Sequence, residues 1–128
     1  NKTDRRESGY CRVKVEGKDL SFYGKKIKTK NKNFWVYAAN PGKIKKPTNS
    51  HPIVQSYVDL FIGGCFQIKE RYKINEFPKQ CVETTTEWSK HWVNDRVHAR
   101  RPFLVPNFYK IDKLLSNYFD YYLENKYQ

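Results

Sequence analysis

The chain has 128 residues, of which 38% are hydrophobic and 16% aromatic, and this aromatic content excludes wholesale disorder because disordered chains are poor in aromatic residues. The formal net charge is +12 at pH 7, and such a field attracts polyanions at long range. The sequence shows no signal peptide and no apolar run near the length of a membrane span, so no membrane partner is expected.

The positive charge is concentrated in the first part of the chain. Residues 1–50 hold 14 Lys or Arg against 4 Asp or Glu, whereas residues 51–128 hold 11 against 9. A run of charge is more often a solvated face than a binding site, but this asymmetry favours binding. We therefore predict nucleic acid, DNA or RNA, as the partner, with an acidic or phosphorylated protein as the alternative.

The cysteines indicate a reducing environment. Cys11, Cys65 and Cys81 are odd in number and have no short repeated spacing, so they do not form a disulfide framework. We expect an intracellular protein. One disulfide with one free thiol is the alternative.

Two short strands are predicted near the N-terminus. Residues 10–16 alternate between polar and apolar side chains, which predicts a strand with Cys11, Val13 and Val15 facing inward. A second strand is predicted at residues 20–23, before a turn. The first half therefore favours a small sheet.

A hairpin is predicted at residues 25–39. Its first arm carries lysines on one face, and the Asn-Lys-Asn segment at 31–33 provides a turn because Asn tolerates positive φ. The returning arm is rich in strand-forming residues, and Trp35 and Tyr37 share one of its faces. Basic and aromatic side chains are mixed more densely here than elsewhere in the chain.

This hairpin gives the candidate binding site. Lysines neutralise phosphates, and exposed aromatic rings stack on unpaired bases. The competing interpretation places Trp35 and Tyr37 in the core, with lysines that only solubilise an edge strand. The predicted nucleic-acid-binding residues are Lys25, Lys26, Lys28, Lys30, Lys32, Trp35, Tyr37, Lys43, Lys45, Lys46, Arg100 and Arg101.

The middle of the chain alternates loop, helix and strand signals. Residues 40–52 contain three prolines and predict a loop that connects two parts of one domain. A helix is predicted from Pro52 to a glycine cap at residues 63–64. Residues 65–74 alternate in polarity and predict a strand, and residues 80–83 predict a further short strand.

A central helix is predicted from Thr84 to Arg101. Thr84 and Glu87 have the spacing of a capping box, apolar residues follow at helical spacing, and a proline ends the segment. His91, Asp95 and His98 would then share one face of this helix. Their spacing matches no standard zinc pattern, so a His–Asp pair or a hydrogen-bonded His is favoured over a metal site.

The last predicted element is a helix over residues 109–127. Its buried stripe is predicted to be Ile111, Leu114, Leu115, Tyr118, Phe119 and Tyr122. The fold class is therefore α+β, with a small, largely antiparallel sheet in the N-terminal half and about three helices packed on one side. Residues 1–9 are predicted to be a flexible tail and residues 10–128 a single basic domain.

One segment resembles metal-dependent nucleases of the PD-(D/E)xK family. These carry an Asp and then a strand with Glu-x-Lys, and here Asp59 precedes Gln67-Ile68-Lys69. The resemblance implies a small nuclease using Asp59, Lys69 and either Glu70 or Glu83. Gln67 replaces the family's Glu, and helical spacing around Asp59 differs from the strand that the family requires.

A second segment is similar to the last helix of BRCT domains, which bind phosphopeptides or DNA ends. The residues that carry this similarity are Trp92, Val93, Asp95, Val97, Arg100, Arg101, Pro106 and Tyr109. The resemblance implies a nuclear protein that binds DNA or a phosphorylated ligand. Residues 64–92 are too few for the two strands and helix that usually precede that helix.

The sequence contains no glycine-rich phosphate loop, no Ser-His-Asp arrangement in a known context and no paired zinc knuckle. We therefore predict no catalytic residue, no metal ligand and no cofactor. A nucleic-acid-binding function without catalysis is favoured, and a nuclease is the enzymatic alternative.

Overall fold

The computed structural model describes residues 2–25, 27–101 and 105–124. The chain folds as two units, an N-terminal unit of residues 1–45 and a C-terminal unit of residues 46–128. An antiparallel sheet lies near the N-terminus and the longer helices follow it, which confirms the predicted α+β class. The boundary falls within the predicted loop at 40–52, and the single-domain hypothesis stays a prediction.

The N-terminal unit is built on two antiparallel strands. Its elements are α1 (Lys2–Arg6), β1 (Tyr10–Val15) and β2 (Phe34–Ala39). In the register of the two strands, Tyr10 pairs with Ala39 and Val15 with Phe34. Part of the expected N-terminal tail is thus a short helix, and both strands occur where alternation or strand-forming residues predicted them.

The predicted pairing of β2 with the lysine-rich segment is wrong. The described residues between 20 and 30 lie in no strand, and residues 16–33 form a long connection between β1 and β2. Lysines at every second position imitate strand periodicity, but they provide little apolar surface that a sheet could bury. The predicted turn is confirmed, because Asn31 has φ 64° and Lys32 N donates to Thr29 O at 3.0 Å.

A close contact holds this connection. A Cβ on Gly17 would lie 2.7 Å from Thr29 Oγ1, so only glycine lets the two parts of the connection approach this closely. Gly17 begins a turn of 3₁₀-helix, Gly17–Asp19. The connection is therefore folded back on itself between the strands.

The predicted burial of the β1 side chains is wrong. Cys11 is exposed and Val13 is 46% exposed. None of the described residues of the N-terminal unit is buried. The physical reason is size, since a two-stranded sheet alone has little apolar area to cover either of its faces.

The C-terminal unit combines helices with a short parallel strand pair. Its elements are β3 (Ile53–Val54), α2 (Gln55–Tyr72), α3 (Phe77–Thr84), β4 (Trp92–Val93), α4 (Phe108–Ser116) and α5 (Tyr121–Glu124). Ile53 pairs with Trp92 and Val54 with Val93. Helix α2 packs against α3 and α4. Within the described ranges, no helix has the length and apolar content needed to cross a membrane.

Two predictions for residues 52–74 are wrong, because helix α2 spans most of this segment. It continues through Gly63 and Gly64, where a cap was predicted, and it covers most of the segment predicted as a strand at 65–74. Gly63 is needed for packing instead, because a Cβ there would lie 2.9 Å from Val105 Cγ1. The helix ends at Tyr72 and is followed by Lys73 in the left-handed conformation, with φ 58°, and it begins after β3 instead of at Pro52.

The predicted central helix is absent, since Thr84 ends α3 instead of beginning a new helix. Thr84 Oγ1 donates to Gln80 O at 2.7 Å, and Thr85 Oγ1 donates to Cys81 O at 2.7 Å. The threonine hydroxyls thus bond back to the preceding turn, which competes with capping a following one. The strand predicted at 80–83 is also wrong, because these residues are part of α3.

The core of the C-terminal unit is aromatic and aliphatic. It consists of Val58, Ile62, Val82, Trp92, Ile111, Leu115 and Tyr122. The Trp88 and Trp92 rings stack with centroids 5.6 Å apart. The predicted last helix occurs as two pieces, α4 and α5, because the chain turns after Ser116. Its predicted stripe faces this core, while residues 125–127 lie outside the described residues.

A buried polar network crosses this core. Trp92 Nε1 donates to Gln55 Oε1 at 2.9 Å, and Gln55 Nε2 donates to Asp59 Oδ1 at 2.8 Å. Tyr122 Oη donates to Asp112 Oδ1 at 2.7 Å. Burial and then this bond raise the pKa of Tyr122.

Arg96 joins the two halves of the network by bonding to both Asp59 and Asp112. Burial alone would lower the pKa of Arg96, but the two carboxylates outweigh that effect and raise it. The cation therefore stays charged inside the unit. Each described buried side-chain nitrogen or oxygen has a hydrogen-bond partner.

Candidate nucleic-acid interface

The charge asymmetry of the sequence follows the boundary between the units. The N-terminal unit holds 13 Lys or Arg against 4 Asp or Glu, and the C-terminal unit holds 12 against 9. Every described Lys and Arg of the N-terminal unit is exposed. The 45 residues of the N-terminal unit thus carry a net charge of +9, and their described cations are exposed.

The register of β1 and β2 gives the sheet two chemically different faces, because successive side chains of a strand point to opposite sides. The basic-aromatic face carries Tyr10, Arg12, Lys14, Trp35, Tyr37 and Ala39. The apolar face carries Cys11, Val13, Val15, Phe34, Val36 and Ala38. The prediction that Trp35 and Tyr37 share a face is confirmed.

Two aromatic rings of the basic-aromatic face, those of Trp35 and Tyr10, are exposed, and Trp35 is the one that lies beside Arg12 and Lys14. It is 49% exposed, which is incompatible with a role as a core residue. The guanidinium carbon of Arg12 lies 4.5 Å from its ring centroid, a cation–π contact. Lys14 is directly opposite Trp35 in the register. Lys14 Nζ is 3.7 Å from Glu16 Oε1, but both groups are exposed, so this pair is weak.

Tyr37 is more restricted than Trp35. Its Oη donates to Asp4 Oδ1 at 2.6 Å, and Arg12 Nη1 donates to the same oxygen at 3.0 Å. The bond from Tyr37 is the main cause that lowers the pKa of Asp4, and it raises the pKa of Tyr37. Helix α1 is therefore attached to the Tyr37 end of the face, and the Trp35 end is left more open.

The lysines of the predicted hairpin lie on the connection between the strands and not on a strand face. Lys25, Lys28, Lys30 and Lys32 are exposed there, and Lys26 lies outside the described residues. The connection leaves β1 at Val15 and enters β2 at Phe34, next to Trp35. Lys32 precedes Trp35 by three residues, so their Cα atoms are at most about 11 Å apart.

The remaining predicted residues are divided between the units. Lys43 and Lys45 are exposed at the end of the N-terminal unit. Lys46 is exposed in the C-terminal unit, with its Nζ 3.6 Å from Glu87 Oε2. Arg100 and Arg101 are also exposed. The predicted residues are therefore divided between the two units, and their role in binding stays a prediction.

Arg101 has an aromatic partner in its own unit. Its guanidinium carbon lies 4.3 Å from the Tyr57 ring centroid. The segment from Asp95 to Arg101 is fixed by the Asp95 carboxylate, which accepts hydrogen bonds from Ser56 N and from Arg100 N, each at 2.8 Å. Burial alone would raise the pKa of Asp95, but these bonds lower it. Asp95 thus stabilises the loop as a carboxylate.

Sequence analysis missed three residues of the basic-aromatic face, Tyr10, Arg12 and Lys14. A signal for them existed, since the alternation of residues 10–16 already placed them together on one face. The incorrect pairing of β2 with residues 25–30 concealed that this face also carries Trp35.

The segment that resembles the PD-(D/E)xK nucleases is helical, whereas that family carries its Glu-x-Lys motif on a strand. Gln67 and Lys69 lie on α2, the same helix as Asp59. Asp59 is buried in the ion pair with Arg96, and Glu70 Oε1 lies 3.7 Å from Lys110 Nζ. In this arrangement Asp59 is engaged in the core of the unit.

The segment that resembles the last helix of BRCT domains is not an α-helix in the structure. Residues 92–93 form β4, and Arg96–His98 form a turn of 3₁₀-helix. The predicted helix face with His91, Asp95 and His98 is therefore absent. His91 Nδ1 lies 2.6 Å from Asn49 Oδ1, and the described residues contain no group of three or more His, Cys, Asp or Glu that could hold a metal ion.

Comparisons with known proteins give no relative from which a role could be transferred. No family model, no curated protein and no solved structure matches the chain. Function is therefore inferred from the exposed charge and aromatic residues of the chain itself.

Proposed function

We propose that the N-terminal unit binds nucleic acid through the lysines of the connection at residues 16–33 and the adjacent end of the basic-aromatic face. The observation that carries this proposal is the segregation of charge, with +9 of the total +12 displayed by residues 1–45. A field of this strength and sign favours a polyanion as the partner.

The physical mechanism is the neutralisation of phosphates. Each lysine that contacts a phosphate releases counterions from the nucleic acid, so the binding constant falls as salt rises. Each contact contributes about −0.9 to the slope of log K against log salt for double-stranded DNA and about −0.7 for a single strand. The lysines of the connection that the structure describes are exposed, so their ammonium groups are accessible to the phosphates of a bound nucleic acid.

The test is binding of the full chain to a labelled oligonucleotide over a salt series. The variant Lys28→Gln, Lys30→Gln, Lys32→Gln removes three charges from the connection. The matched control Lys79→Gln, Lys110→Gln, Lys113→Gln removes three charges from the C-terminal unit. We expect the first variant to weaken binding at low salt and to flatten the salt slope by about 2 to 3.

Two outcomes would overturn the proposal. One is no binding of the unmodified chain at about 50 mM salt, where non-specific contacts are strong. The other is equal weakening by the two triple variants, which would assign the effect to total charge. A phosphopeptide that displaces the oligonucleotide, and itself binds more tightly, would favour the alternative partner, a phosphorylated protein.

A further inference from the structure

Trp35 differs from the other two tryptophans of the chain. Trp92 is 9% exposed and stacks on Trp88 within the C-terminal core, whereas Trp35 is 49% exposed on an open two-stranded sheet. An exposed aromatic ring among basic side chains is the arrangement on which unpaired bases stack. The position of Trp35 on the basic-aromatic face narrows the chemistry of a partner.

We infer that the N-terminal unit selects single-stranded over double-stranded nucleic acid by stacking an unpaired base on Trp35. This inference rests on the proposed function and adds the structural class of its substrate. The face of a base is open in an unpaired strand, whereas in a duplex the neighbouring base pairs cover it. Aromatic platforms in basic grooves bind single strands for this reason, with little dependence on sequence.

The surroundings of Trp35 fit such a platform. The guanidinium carbon of Arg12 lies over one face of the ring, 4.5 Å from its centroid, and this cation–π contact restricts the side chain. The remaining exposed area is available to a base. Arg12 is itself held by Asp4 through hydrogen bonds of 3.0 and 3.1 Å. The ring is thus positioned before binding, which reduces the entropy that is lost when a ligand stacks on it.

Two lysines lie near the Trp35 ring, where they could contact the phosphates of a bound nucleic-acid strand. Lys14 is opposite Trp35 across the strand pair, and Lys32 is three residues away along the chain. A base on Trp35 would therefore place its flanking phosphates near these ammonium groups. The combination of a stacking ring and adjacent cations on one open face favours an unpaired strand over a protein segment.

The experiment separates stacking from charge by comparing two single strands with equal numbers of phosphates, one of which lacks bases. A duplex of the same length carries the phosphates of two strands, so weaker binding to the duplex is not an effect of charge. The full chain is titrated with a thymidine oligonucleotide, with an abasic oligonucleotide of the same length and with a duplex of that length. We expect the thymidine strand to bind about 5- to 150-fold more tightly than the abasic strand, which is the ratio that corresponds to about 1–3 kcal/mol of stacking per base. The duplex should bind more weakly than the thymidine strand, and a uridine oligoribonucleotide shows whether RNA is accepted.

Variants of the ring complete the test. Trp35→Ala should abolish the difference between the thymidine and abasic strands while keeping the salt dependence, and Trp35→Phe should keep part of the difference. Equal binding of thymidine and abasic strands by the unmodified chain overturns the inference and leaves the proposed function intact. Failure to bind any of the probes overturns both. The comparison on the unmodified chain decides the inference even if Trp35→Ala fails to fold.

Discussion

Arg96 forms a two-point ion pair with Asp59, with Nε donating to Oδ2 at 2.7 Å and Nη2 donating to Oδ1 at 2.6 Å. A second carboxylate, Asp112, lies 2.8 Å from the same Nη2. The Arg96 side chain is 19% exposed and that of Asp59 is 9% exposed. Planar, bidentate pairs of this kind need arginine, because lysine offers only a point charge. Arg96 therefore links its own turn to α2 and α4.

Arg96→Ala should strongly destabilise the C-terminal unit. It leaves Asp59 and Asp112 buried without their cation, and breaking a buried ion pair from one side costs about 3–5 kcal/mol. The free energy of unfolding measured by denaturant titration would show this loss. Arg100→Ala is the control, because Arg100 is exposed and surface changes usually lie within about 0.5 kcal/mol. Similar losses in both variants would contradict a special role for Arg96.

Two neighbouring glycines of α2 should respond in opposite directions to alanine. Gly63→Ala places a Cβ 2.9 Å from Val105 Cγ1, and overpacking of this kind costs about 1–3 kcal/mol. Gly64→Ala meets nothing within 4 Å, and alanine inside a helix is favoured over glycine by about 0.5–1 kcal/mol. Thermal unfolding of both variants tests this. A gain in stability for Gly63→Ala would show that Val105 does not approach α2 closely.

The cysteines should react with alkylating agents at very different rates. Cys11 is exposed and Cys65 is buried. Burial, and then the nearby Cys81 thiol, raise the pKa of Cys65 to about 12, and the thiolate is the reactive form. Peptide mapping by mass spectrometry after a timed reaction with iodoacetamide at pH 8 should find Cys11 modified first. If Cys65 were modified as rapidly as Cys11 in the folded chain, its environment would have to be open to solvent.

Alkaline pH should destabilise the C-terminal unit. The pKa of Cys65 rises from 9.0 to about 12 on folding, so above pH 9 the unfolded chain releases a proton that the folded chain retains. The contribution of Cys65 is therefore fully present below about pH 9 and is lost as pH rises toward 12. Unfolding free energies at pH 8 and pH 10.5 should show a decline that is smaller in Cys65→Ala. An unchanged decline would assign it to other groups, such as Tyr122.

Local sequence signals predicted the elements whose cause is local. The strand-forming residues of β2 predicted this strand correctly, and the apolar stripe that contains Ile111, Leu115 and Tyr122 predicted the buried side chains of α4 and α5 but not the break between these helices. The signals at Gly63 and at Thr84 misled. The roles of these two residues depend on their contacts, because Gly63 leaves space for the Val105 side chain and the Thr84 hydroxyl donates a hydrogen bond to the preceding turn.

The candidate site was only partly predictable for the same reason. The shared face of Trp35 and Tyr37 follows from the two-residue period of a strand. The strand that lies beside them is set by a distant part of the chain, since the partner is β1 and 18 residues separate Val15 from Phe34. Alternation in the sequence places Arg12 and Lys14 on one strand face, but their position beside Trp35 depends on the pairing of β1 with β2.

The parallel pairing of β3 with β4 also bears on the order in which the C-terminal unit assembles. Ile53 meets Trp92, and closing so long a segment has an entropic cost that grows with its length. Helices α2 and α3 are joined by a short link, so their contact requires much less closure. We therefore expect the contact between α2 and α3 to form before the segment around Trp92 pairs with β3.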